Sequence, residues 1–128
     1  MTTTECIFCD RNNTKKNTII LENELAFSRW DNFPVSEGHA EVIPKRHVAS
    51  FFDLTNDEVL ALYKLASETK EAIVTKYSPD AFNIGINEGE AAGRTVHHLH
   101  IHLIPRYAGD VPEPRGGVRH IIPGKGTY

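Results

Sequence analysis

Residues 98–104, His-Leu-His-Ile-His-Leu-Ile, constrain what this chain can fold into more than any other stretch. Side chains alternate faces along a β-strand, so Leu99, Ile101 and Leu103 would line one side and His98, His100 and His102 the other. The apolar side asks for a hydrophobic core, and Pro105 ends the run. With seven histidines in 128 residues, composition alone would place three of them at alternate positions only ~2% of the time. A solvated strand face accounts for the apolar side but not for the imidazole repeat.

The rest of the chain supplies the elements such a strand needs. Thr18 to Leu21 and Leu25 to Phe27 read as strands around a turn at Glu22-Asn23-Glu24, and Ala40 to Ile43 as a third. Thr55-Asn56-Asp57-Glu58 has the form of a capping box. The apolar residues Val59, Leu62, Tyr63, Ala66, Ile73 and Tyr77 then recur at helical spacing, predicting one helix over 56–77 stopped by Ser78-Pro79-Asp80. Phe82, Ile84 and Ile86 alternate with polar or small residues, giving a further strand, and 88–94 form a flexible loop. Strands, one long helix and strands again make an α+β fold with an antiparallel sheet. Nothing divides the chain, so residues 1–128 are expected to form a single domain with an irregular Gly- and Pro-rich tail from about 110 to 128.

Composition narrows the function. A 40% apolar share argues against disorder, and no run of 18 apolar residues offers a membrane span. The Met1-Thr-Thr-Thr-Glu-Cys start carries no basic and apolar leader pattern. A net charge of −3 disfavours a coat for a nucleic-acid polymer. Two cysteines, Cys6 and Cys9, are too few for a secreted disulfide scaffold and fit a reducing cytoplasm.

The histidines allow two chemistries. Alternate imidazoles can grip a zinc ion that activates water. Equally, a neutral imidazole, with an ordinary pKa of about 6.5, can attack phosphorus and form a covalent intermediate that water cleaves. Their surroundings favour the second. The loop 87–96 brings glycine amides and the Thr95 hydroxyl to the strand, with Arg94 and Arg106 as cationic donors for phosphate oxygens.

The chain resembles the histidine triad (HIT) family along nearly its whole length. His98-Leu-His-Ile-His-Leu-Ile matches that family's signature, and Cys6-Ile-Phe-Cys9, Pro34-Val-Ser-Glu-Gly-His39, Val42-Ile-Pro-Lys-Arg-His47 and Phe82-Asn-Ile-Gly-Ile-Asn87 are similar to its successive blocks. The resemblance is nearest to the bacterial diadenosine polyphosphate hydrolases. It implies about five antiparallel strands with one long and one short helix, in a homodimer. It implies a nucleotide hydrolase in which His100 attacks the α-phosphorus, His98 and His102 orient the nucleophile and bind phosphate, and Thr95 contacts phosphate or assists the leaving group. Asn87 and Gly93 would lie at the phosphates and Asp31 at the ribose hydroxyls. Arg94 stands where the family commonly has Gln, which bears on the leaving group. A purine nucleoside phosphoramidase, or a regulatory module that only binds nucleotides, are the alternatives.

The resemblance also implies a structural zinc on Cys6, Cys9, His47 and His98, since related proteins carry the metal at the matching positions. With the substrate, the resemblance also allows magnesium. Phe27, Trp30 and Phe33 lie near the implied ribose position. In the tail, Arg115, Arg119 and Lys125 are placed to reach a phosphate chain, or else to sit in solvent or at a dimer contact.

Overall fold

Two faces of one sheet organise the chain, and different segments cover each. The computed structural model describes residues 5–128; Met1 to Thr4, where the leader pattern was sought, fall outside them. Strands β1 (Ile19–Glu22), β2 (Ala26–Trp30), β3 (Ala40–Pro44), β4 (Ala81–Gly85) and β5 (Ile101–Arg106) form one sheet in the order β1-β2-β3-β5-β4. Every neighbouring pair is antiparallel, with a register shift between Ile19 and Leu21 where β1 meets β2.

Helix α1 (Asn56–Tyr77) covers the first face. Its start follows from the capping box: Thr55 Oγ1 accepts the Glu58 amide N–H at 3.1 Å, and the Glu58 carboxylate accepts the Thr55 amide N–H at 2.9 Å. Ser78 ends it in the left-handed region (φ 54°), its amide returning to the Val74 carbonyl. Leu62, Leu65, Thr69 and Ile73, spaced three or four apart, are buried against Ala26, Ala40, Val42, Leu99 and Leu103. A buried polar pair on this face, Thr69 Oγ1 donating to Ser28 Oγ at 2.8 Å, is satisfied within the core.

The opposite face is covered in two pieces. At β2 and β3, the N-terminal segment lays Cys6 and Phe8 on Phe27 and Ile43. At β4, the C-terminal tail packs its 3-10 turn Gly117–Ile121. The histidines emerge between the two. The short second helical element takes the form of 3-10 turns at Phe51–Asp53, Glu90–Ala92 and Gly117–Ile121. Among the described residues no helix is long and apolar enough to cross a membrane.

Three local expectations are corrected. The strand anticipated over 98–104 begins at Ile101, because the preceding stretch pairs elsewhere: the Leu99 amide donates to the Val48 carbonyl at 2.7 Å, outside the β3 ladder. Strand β4 stops at Gly85, short of Ile86. The loop after it is tied down, with Glu88 Oε1 accepting the Phe51 amide at 2.8 Å and the Arg94 guanidinium donating to the Ala49 carbonyl at 3.3 Å.

Candidate active site and metal centre

His98 is fully buried, and both its ring nitrogens are committed. Nε2 lies 2.7 Å from the Pro44 carbonyl, and since a carbonyl only accepts, that nitrogen carries the proton. Nδ1 therefore presents a lone pair, directed at Cys6 Sγ (3.4 Å), Cys9 Sγ (3.6 Å) and His47 Nδ1 (3.1 Å). Cys9 Sγ in turn lies 3.2 Å from His47 Nδ1. All four donor atoms fall within 4.8 Å of one another. Two sulfurs and two imidazole nitrogens at these separations match a tetrahedral zinc site, with bonds of about 2.0–2.3 Å. Fixing the ligand tautomer through the far ring nitrogen is the usual outer support of such a site. Burial lowers the His98 pKa to about 4, so the ring is neutral and can ligate. Burial, reinforced by Cys6, pushes the Cys9 thiol up to about 11, so its thiolate forms when a cation displaces the proton.

Two residues on, the same logic gives the opposite tautomer. His100 Nδ1 lies 2.9 Å from the His98 carbonyl and must be the protonated nitrogen, which leaves Nε2 with its lone pair. The ring packs on Phe8 with centroids 5.1 Å apart, and on His102 at 5.0 Å. Thus Phe8 packs against both His98 and His100 and links the four-donor cluster to the second histidine.

His102 completes a third arrangement, with a residue to which sequence reasoning gave no role. The Val35 amide donates to His39 Nδ1 at 3.2 Å, so His39 carries its proton on Nε2, 2.9 Å from His102 Nδ1. His102 accepts there and is left with Nε2–H as a donor. Burial, reinforced by His100, lowers its pKa to about 4, and burial lowers that of His39 as well. Asp31 Oδ2 stands 3.5 Å from His39 Nε2 and 3.9 Å from His102 Nδ1, while Asp31 Oδ1 accepts the Phe33 amide at 2.7 Å. Glu41 was likewise unanticipated. It is buried with Arg29, whose Nε donates to Oε1 at 2.9 Å, and its Oε2 lies 3.9 Å from His100 Nε2. No local signal marked either: His39 lies just before β3 and Glu41 on it, and only the pairing of β3 with β5 sets Glu41 opposite His102.

Other expected residues sit around this core. Asn87, Gly93 and Thr95 are exposed on the segment between β4 and β5. Arg94 is half-buried, and its Nε lacks a partner. Arg115 and Arg119 do not extend freely: both stack on the Tyr128 ring, at 4.5 and 5.0 Å. Of the aromatic candidates, Phe27 is in the core, Trp30 packs edge-on against Tyr77, and Phe33 is exposed. Every donor cluster among the described residues contains histidine, a set suited to zinc rather than to magnesium.

Comparison with known proteins bears on this arrangement. The HIT domain model matches residues 12–109. An uncharacterized HIT-like protein of Mycoplasma genitalium is 38% identical over 107 residues, 83% of this chain and 76% of that protein. The asymmetrical bis(5'-nucleosyl)-tetraphosphatase of Schizosaccharomyces pombe is 41% identical over 80 residues, 62% of this chain and 44% of that protein. Among solved structures, a zinc-bound histidine triad family protein of Mycobacterium smegmatis superposes with a TM-score of 0.74 at 31% identity, covering 85% of this chain and 80% of that one.

Proposed function

The chain belongs to the HIT family, and from that premise we propose that it is a hydrolase cleaving at the α-phosphate of dinucleoside polyphosphates or related nucleotide conjugates. The observation that carries this reading is the 2.9 Å bond from His100 Nδ1–H to the His98 carbonyl, which fixes the tautomer with Nε2 as the nitrogen available to attack. Nε2 attacks the α-phosphorus, a phosphorus–nitrogen bond forms, and the bond to the leaving group breaks. The leaving group keeps the bonding electron pair and, where its atom is basic, takes a proton from water. Water then cleaves the nucleotidyl-histidine, releasing a nucleoside monophosphate and restoring the imidazole.

The remaining residues divide the work. His102 Nε2–H, oriented by His39, donates to a phosphate oxygen. Asn87, the Gly93 amide and the Thr95 hydroxyl provide further donors, and Thr95 assists the leaving group. Asp31 accepts from the ribose hydroxyls. Arg94 holds the phosphate loop to the Ala49 carbonyl. His98 acts through its carbonyl and its ring, with no exposed surface of its own. A zinc ion on Cys6, Cys9, His47 and His98 supplies structural cross-linking between the N-terminal segment, the β3 exit and the histidine segment.

The reading includes a homodimer in the reducing cytoplasm, where two free thiols persist. Supporting the dimer, α1 and its neighbours leave Val59, Leu60, Tyr63, Phe52 and Ile84 exposed beside the edge strand β4. Steady-state hydrolysis of diadenosine tetraphosphate tests the enzyme: His100→Ala should lose at least ~10³-fold in kcat. An His100→Ala protein with wild-type turnover would refute it.

A further inference from the structure

Arg29 and Glu41, both buried, form an ion pair beside the second histidine. They face each other across β2 and β3, and Glu41 also faces His102 on β5, so the three side chains share one side of the sheet. An apolar pair of similar volume would often serve stability equally well or better, so stability does not account for two charges here. The surroundings fix the pair in place. Arg29 Nε donates to Glu41 Oε1 at 2.9 Å, and Nη1 donates to the Asn17 side-chain oxygen at 2.8 Å and to the Lys16 carbonyl at 3.1 Å. Asn17 in turn donates to the Ile7 and Asp10 carbonyls, and the guanidinium carbon stands 4.8 Å from the centre of the Phe8 ring.

The other carboxylate oxygen is differently placed. Among the described residues Glu41 Oε2 has no hydrogen-bond partner, and it lies 3.9 Å from His100 Nε2. That is too long for a hydrogen bond but close for a charge, and the His100 side chain is only 12% exposed, so water screens the approach weakly. His100 Nδ1 keeps its proton for the His98 carbonyl. When Nε2 gives its lone pair to phosphorus and the leaving group departs with the electrons of the broken bond, the ring therefore becomes cationic. When water displaces Nε2 from phosphorus, the pair returns to the nitrogen, the surplus proton of the water passes to solvent, and the ring loses its charge. A carboxylate fixed beside Nε2 favours the charged ring. Arg29 on Oε1 keeps the pair neutral overall, so an anionic substrate meets no net negative charge.

We propose that Glu41 is a further catalytic residue, whose Oε2 stabilises the cationic nucleotidyl-histidine and the transition state leading to it, and that Arg29 positions the carboxylate. The inference rests on the hydrolase reading and adds to it a group that acts on the covalent intermediate. Because the intermediate carries more of the ring charge than either transition state, Glu41 speeds its formation and slows its breakdown.

Single-turnover rapid quenching of the full-length protein with diadenosine tetraphosphate labelled at the α-phosphorus resolves the two steps. Glu41→Gln keeps an acceptor for Arg29 and loses the charge. It should slow adduct formation by about thirtyfold or more, while breakdown stays as fast as in wild type or becomes faster. A displaced strand would slow both steps. Glu41→Asp, which keeps the charge, should recover part of the formation rate. Arg29→Met combined with Glu41→Leu removes both charges and leaves neither unpaired; it should show the same split, and it carries the test if Glu41→Gln does not fold. Formation at the wild-type rate in a folded variant without the carboxylate, or both steps slowed together, overturns the proposal and leaves His100 as the nucleophile. A wild-type protein that forms no adduct on His100 overturns the hydrolase reading and this inference with it.

Discussion

At the scale of single residues, the site is a matter of which nitrogen carries the proton. Two backbone carbonyls and one backbone amide decide it: Pro44 for His98, His98 for His100, and Val35 for His39, which passes the choice on to His102. An imidazole that could take either tautomer in water is thereby held in the one its place requires. His39→Ala removes the donor to His102 Nδ1, and kcat should fall by about tenfold or more, whereas His39→Asn, which keeps a donor, should recover part of the loss. Steady-state kinetics on the pair measures this, and equal activity in His39→Ala and wild type would remove His39 from the relay. The alternating histidines were legible in the sequence because alternation is the period of a strand. The partners were not, since His39 and Glu41 sit alone in their segment and become neighbours of β5 only through strand pairing.

At the scale of elements, α1 was legible to the residue because its signals are local. The capping box and the left-handed Ser78 are both set by contacts within four residues. The start of β5 was not, because residues 98–100 obey the same alternation as 101–104 and only their hydrogen-bond partners differ. One element contact has a measurable pH signature. Arg46, next to the proposed ligand His47, donates to both Glu58 oxygens at 2.9 and 2.8 Å and holds the β3 exit to the start of α1. The Arg46 bond and the Thr55 cap together lower the Glu58 pKa to about 2 from 4.5. A carboxylate lowered in the folded state binds fewer protons there than when unfolded, so its stabilisation is full above 4.5 and fades as pH falls toward 2. Glu58→Gln should therefore destabilise the protein at pH 7 by about 1–2 kcal/mol, with the gap from wild type narrowing below pH 4.5. Urea midpoints across pH read this, and a gap that stays constant down to pH 3 would argue against the ion pair.

At the scale of the whole molecule, the sheet is covered by a helix on one face and by the two chain ends on the other. The N-terminal cover carries the Cys-x-x-Cys pair of the proposed zinc site, whose second pair of ligands comes from 38 and 89 residues beyond Cys9. Such a set was visible in the sequence only through resemblance, because two cysteines alone do not name their partners. Chelation should lower the melting temperature and abolish activity, with Cys9→Ser matching the chelated wild type. Zinc analysis of protein purified without chelator should give one ion per chain, and far less would discard the site. The exposed apolar face of α1 belongs to this scale too. Tyr63→Asp should shift the sedimenting species from dimer to monomer, and an unchanged sedimentation coefficient would place any dimer contact elsewhere. The tail was the least legible part: its closure depends on Gly116 meeting Gly126 and on two arginines sharing one ring, contacts with no periodic signature.

The proposed catalysis turns on a covalent bond to His100 Nε2, and rapid quenching tests it most directly. Wild-type protein mixed with diadenosine tetraphosphate labelled at the α-phosphorus, and stopped within milliseconds in alkali, should carry acid-labile label that maps to His100. His100→Ala should carry none and turn over nothing. Hydrolysis by His100→Ala, or label that maps to another residue, would contradict the mechanism.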